Sequence, residues 1–159
     1  MSRLSIVATL VIEGQSEQPP RRLLRDEEEA RMASIYKEAT ITAPIEKVWA
    51  AIADVEGINR LITFLGEVTV DGDHRYCQLG EQGKLEELIV TVDDANKRFA
   101  YSVQQSPFNL THHSASMQFR VNGEGTNLVW VTDLKPDDAA PAVEEALDAA
   151  VASIKEVLG

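Results

Sequence analysis

T-A-P-I-E-K-V-W-A-A-I-A-D-V-E-G-I-N-R-L, residues 42–61, is the stretch on which the fold of this chain turns. It reads as one short amphipathic helix with an abrupt start and an abrupt stop. Pro44 falls where a first helical residue belongs, since its missing N–H costs nothing there. Glu46 sets a negative charge against the positive end of the helix dipole. Ile45, Val48, Trp49, Ile52 and Val55 recur at the spacing of a single helical face, and Gly57 closes the pattern. A second short helical turn is predicted around Gly57 to Leu61. One strand-like run precedes this helix, several follow it, and no long helix returns until the C-terminus.

The flanking pattern is regular. Ser34 to Ile41 is a strand on the N-terminal side. Phe64 to Val70 is a strand closed by Asp71-Gly72, a tight-turn signal, and His74 to Leu79 pairs back on it. Leu85 to Val92 ends at Asp93-Asp94-Ala95-Asn96, again turn chemistry. Arg98 to Val103, His113 to Val121 and Leu128 to Leu134 complete the strands. Asp137 to Leu158 is a long helix with Val143, Leu147, Ala150, Val151, Ile154, Val157 and Leu158 on one stripe. A meander of about six to seven strands against a long helix is an α+β sheet-and-helix domain. The alanines that dilute the helix stripe, Ala146 among them, hint at a gap between helix and sheet, although alanine is also the best helix former.

At 159 residues the chain has enough length for one well-filled core. Its net charge of −11 is unevenly placed: residues 1–31 hold five Arg against six acidic groups, leaving ten basic against twenty acidic beyond. Such a surface repels a phosphate backbone and an anionic membrane, which argues against nucleic-acid binding and membrane association. Cys77 is the single cysteine, so no intrachain disulfide forms, and a cytoplasmic location is expected. No apolar run approaches the ~18 residues of a membrane span.

The first thirty-one residues differ in character. Leu4 to Ile12 is apolar but short, and no small-residue cleavage site follows it, which argues against a secretory signal. Gly14 to Arg31 is polar with a double proline and reads as linker. The expected organisation is a leader or linker over 1–31, without fixed structure, and one domain over 32–159.

Several local strings now point to a family. A-P-I-E-K-V-W in the first helix, Arg75 in the third strand, L-E-E-L-I-V-T-V-D-D-A followed by R-F-A-Y-S-V, the W-x-T of Trp130 to Thr132 and the C-terminal helix occur in a specific order. In that order the chain resembles the START-like helix-grip superfamily (SRPBCC), particularly its polyketide cyclase/dehydrase branch, over residues 34–159. The resemblance implies an antiparallel curved sheet gripping the long helix around a hydrophobic ligand cavity. It implies binding of lipids, polyketides or other apolar molecules, with catalysis in only some members. Where many relatives carry Trp-x-Pro, this chain has Leu61, Ile62, Thr63 and Phe64, so a more aliphatic cavity mouth is expected.

Strand alternation nominates the polar groups that look inward. Arg75 shares a face with Cys77 and Leu79; Glu86 with Leu88, Val90 and Val92; Tyr101 with Phe99 and Val103; His113 with Ala115, Met117, Phe119 and Val121. A few convergent polar groups on an apolar wall make a small-molecule site. Arg75 and Glu86 are equally readable as a cross-strand ion pair, Tyr101, Trp49 and Trp130 as core aromatics, and His113 as a strand-start residue in solvent. The candidate ligand-binding set is Trp49, Leu61, Phe64, Arg75, Cys77, Glu86, Leu88, Phe99, Tyr101, His113, Met117, Trp130 and Ile154.

The leading expectation is binding of a small hydrophobic or amphipathic ligand. One alternative is a cyclase or dehydratase with Glu86 or His113 moving a proton and Arg75 polarising a carbonyl. Another is a co-chaperone or stress-response module. No cofactor is expected. No metal is expected either, because His112 and His113 diverge on a strand and His74 and Cys77 supply no ligand spacing.

Overall fold

The computed structural model describes residues 31–159. The leader or linker expected over 1–31 therefore lies, apart from Arg31, outside the described residues. Strand β1 (Ala33–Ile41) leads into helix α1 (Ile45–Ala53) and a 3₁₀ turn at Ile58–Arg60. Then come β2 (Val68–Asp71), β3 (His74–Gln78), a 3₁₀ turn at Gly80–Gln82, β4 (Lys84–Asp93), β5 (Arg98–Gln105), β6 (His112–Asn122) and β7 (Gly125–Lys135). A third 3₁₀ turn at Asp137–Ala139 runs into helix α2 (Ala140–Leu158). The strands form one sheet in the order β1-β7-β6-β5-β4-β3-β2, every neighbour antiparallel. This is the helix-grip arrangement.

The deciding helix forms much as its pattern demands, with differences at both ends. Pro44 is the N-cap in extended conformation rather than the first helical residue, and the helix stops at Ala53. Val55 therefore packs on the core from the loop. Phe64 also lies outside its expected strand, since β2 begins only at Val68.

The buried face of α1, Val48, Trp49 and Ile52, closes one end of the sheet. The Trp49 ring meets Phe119 edge-on at 6.0 Å, and its Nε1–H donates to Asp94 Oδ1 at 2.7 Å. Ile41, Phe119 and Leu128 are all but inaccessible beside it. That end is a filled core.

Helix α2 is tied down at three places. Lys37 on β1 reaches Glu144 and Asp148 at 2.7 and 2.8 Å. The buried Ser153 hydroxyl donates to the Leu61 carbonyl at 2.9 Å and accepts from the Thr63 N–H at 3.0 Å, fixing the segment after α1 to the helix. The Thr42 N–H donates to the Gly159 carbonyl, clamping the helix end to the β1–α1 corner. Between these ties small side chains face the sheet, and there the packing opens.

Candidate functional site

Between α2 and the inner face of β3 to β7 lies a cavity of about 110 Å³. A single water needs only ~10–15 Å³ by the same measure. The sheet contributes Arg75, Leu85, Glu87, Tyr101, Val103, His113, Met117 and Trp130, and Leu79 adds to them just past the end of β3. The helix contributes Val143, Ala146, Leu147 and Ala150. Ile58, Ile62, Phe64 and Leu65 from the segment after α1, and Phe108 and Leu110 from the loop after β5, complete the lining. A wider groove of about 810 Å³ opens outside it along the Gly80–Gln82 turn and α2. Phe64, Leu79, Phe108 and Ala146 line both spaces and so form the neck between them.

The polar groups in this wall fall into two sets. In the first, Arg75 and Glu87 stand directly opposite each other on β3 and β4, both buried. Arg75 Nε donates to Glu87 Oε2 at 2.7 Å, and Nη1 donates to the Val55 carbonyl at 3.3 Å. The guanidinium lies 5.5 Å from the Phe99 ring centroid, a cation–π distance. Burial alone would lower the guanidinium pKa, but the Glu87 carboxylate carries it above its ordinary value. Burial, then the Glu87 charge, push the neighbouring Cys77 thiol up to about 12, so it is an inert thiol.

The second set is Tyr101, His113 and Trp130. Tyr101 and His113 have ring centroids 5.5 Å apart. His113 Nδ1 accepts the Val103 backbone N–H at 3.0 Å, which leaves the proton of the neutral ring on Nε2. Burial first and the nearby His112 second lower the His113 pKa to about 4, so the ring is neutral at pH 7. Burial, then Glu87, hold the Tyr101 phenol above its ordinary value, while the Trp130 N–H acts against that rise. The indole N–H is thus close to the Tyr101 hydroxyl without completing a hydrogen bond. Trp130 Nε1 is buried with no partner among the described residues, as is Thr132 Oγ1 two residues on.

Of the residues nominated from sequence, Phe64, Arg75, Tyr101, His113, Met117 and Trp130 line the cavity. Cys77, Phe99, Leu61 and Ile154 are buried in the surrounding core and do not line it, nor does Trp49, whose N–H is spent on Asp94. Glu86 and Leu88 require correction: they lie on the opposite face of β4, where Glu86 Oε1 meets His74 Nδ1 at 2.9 Å. The cause is a bulge. Ile89 pairs with Tyr101 and Thr91 with Ala100, so Val90 is an extra residue and the alternation changes phase across it. Counted back from Val92, which pairs with Phe99, the pattern points Glu86 inward; beyond the bulge Leu85, Glu87 and Ile89 take that face. Apolar Leu85 and Ile89 were the available signal. Phe108 and Leu110 had only a weaker one, as apolar residues between β5 and β6.

Among the described residues no group of three or more His, Cys, Asp or Glu is placed to hold a metal ion. None of their helices is long and apolar enough to cross a membrane.

A family profile for "Polyketide cyclase / dehydrase and lipid transport" matches residues 32–159. The chain belongs to that family. Solved structures of the same fold include an uncharacterised protein from Bacillus thuringiensis, 15% identical with a TM-score of 0.74, covering 79% of this chain and 98% of its own. The protein XoxI from Bacillus cereus is 15% identical with a TM-score of 0.72, covering 79% and 95%. A Thermobifida fusca protein is 20% identical with a TM-score of 0.64, covering 78% and 94%. No curated protein matches the sequence. For this member of the polyketide cyclase/dehydrase family, the likeness to solved structures carries the fold, and the cavity chemistry must carry the rest.

Proposed function

We propose that this protein binds one small, largely apolar molecule in the cavity between α2 and the sheet. The observation that carries the reading is the wall itself: aliphatic and aromatic side chains throughout, with a few polar groups gathered around Tyr101. The groove outside Phe64 and Phe108 gives such a molecule a way in.

Binding is favoured over proton-transfer catalysis by the state of the polar groups. Glu86 faces away from the cavity, Glu87 is held by Arg75, and His113 has one nitrogen committed to Val103. A general base poised near neutral pH is missing from that set. The buried, unreactive Cys77 is compatible with a reducing compartment, and a cytoplasmic location is part of the proposal.

The neutral dye N-phenyl-1-naphthylamine tests the reading. It is expected to brighten with saturable binding at about one site per chain. Met117→Trp, which fills the chamber from β6, is expected to abolish that signal while the protein remains folded. Dye binding unchanged in Met117→Trp, or seen only on partial unfolding, overturns the reading.

A further inference from the structure

The two polar sets in the cavity differ in what they leave unsatisfied, and that difference specifies a ligand group. Arg75 and Glu87 neutralise each other at 2.7 Å, so the wall carries no net charge to offer. A carboxylate or phosphate entering the chamber would lose its water and gain no uncommitted cation among the lining residues. The second set is richer in donors than in acceptors. An indole N–H can only donate. His113, with Nδ1 occupied by the Val103 N–H, presents Nε2–H. The Tyr101 ring lies 5.5 Å from that of His113, and its hydroxyl can donate or accept.

Trp130 is 4% exposed and lines the cavity, and its Nε1–H is unpartnered among the described residues. Buried donors without an acceptor are rare in folded proteins and call for an explanation. Resting on the binding reading above, we infer that the cavity recognises an apolar molecule bearing a neutral oxygen acceptor, such as a ketone, ester or amide carbonyl, through the Trp130 Nε1–H and its neighbours Tyr101 and His113. The carbonyl supplies the acceptor that the protein withholds, and the apolar remainder fills the space against Met117, Leu147 and Ala150. A molecule of the same shape without the oxygen leaves the donors unpaired, which is the kind of mismatch that discriminates strongly between ligands.

Three compact bicyclic probes separate the possibilities: 1-tetralone, tetralin and tetralin-1-carboxylate, each competed against N-phenyl-1-naphthylamine. The ketone is expected to bind about tenfold or more tighter than tetralin, equivalent to roughly 1.4 kcal/mol. The carboxylate is expected to bind more weakly than the ketone. The infrared carbonyl stretch of bound 1-tetralone is expected to fall below its value in hexane, the mark of a donated hydrogen bond. In Trp130→Phe the ketone preference should shrink to about threefold or less while tetralin affinity holds. Should that variant fail to fold, the wild-type carbonyl frequency decides alone, and an unshifted stretch overturns the inference. Equal binding of ketone and hydrocarbon overturns it while leaving the binding reading intact, as does a carboxylate that binds as well as the ketone. If neither dye nor any bicyclic probe binds, the cavity reading itself falls and takes this inference with it.

Discussion

Trp49 and Trp130 are both 4% exposed on the inner side of the same sheet, yet they belong to different kinds of interior. Trp49 stands where α1 closes the sheet: its ring abuts Phe119, its N–H is bonded to Asp94, and Lys97 lies over its face. Trp130 stands where α2 presents Ala146 and Ala150, and its N–H bonds to nothing among the described residues. One tryptophan completes a core, and the other borders a space. Burial alone does not tell a structural aromatic from one that meets a ligand; the fate of its polar atom does.

The same contrast exists between the two faces of β4, and there the largest effect is expected. Glu87→Gln removes the counter-charge of a buried guanidinium, a change that typically costs about 3–5 kcal/mol. Glu86→Gln loosens a half-exposed contact with His74 and should cost under about 1 kcal/mol. Denaturant unfolding of the two variants side by side checks this. Equal costs would mean that the faces of β4 are misassigned.

That assignment is also where the sequence was least legible. Period-3.6 spacing in residues 45–53 and the turn signals at Asp71-Gly72 and Asp93 to Asn96 located the helix and the strands, because each is a local signal carried by adjacent residues. The family resemblance then supplied the helix-grip arrangement. Arg75, Tyr101, His113 and Met117 could be placed inward because the pairing around each of them keeps register with a neighbouring strand. Glu87 could not, because a bulge is a property of two strands together, and the two apolar faces of β4 mask it. The neck residue Phe108 was missed because a loop has no period to read.

His113 sharpens the comparison by pH. Its pKa is about 4 in the folded protein, against an ordinary 6.5. Between those values the unfolded chain takes up a proton that the native state refuses, so stability is retained above pH 6.5 and lost as pH falls towards 4. From pH 7 to pH 5 this one group accounts for a loss of about 2 kcal/mol. His113→Gln, whose side-chain carbonyl can still accept the Val103 N–H, should flatten the slope in that window. An unchanged slope would mean that His113 is protonated or solvated in the native state.

The smallest effect tests the two tryptophans directly. Trp49→Phe and Trp130→Phe each remove an indole N–H and a similar volume from a buried site, so their packing losses largely cancel in the difference. Trp49→Phe also deletes a hydrogen bond to a carboxylate, a type worth about 1.5–3 kcal/mol, offset in part because the exposed Asp94 regains water. Trp130→Phe deletes a donor with no partner, which removes a desolvation penalty instead of a bond. In the ligand-free protein Trp130→Phe should therefore be the milder change by about 1–2 kcal/mol. Chemical denaturation of both variants with the wild type gives that difference without reference to any ligand. If the two cost the same, the Trp130 N–H is as well satisfied as that of Trp49, and the distinction between a closed end and an open end of the sheet fails at the residue chosen to mark it.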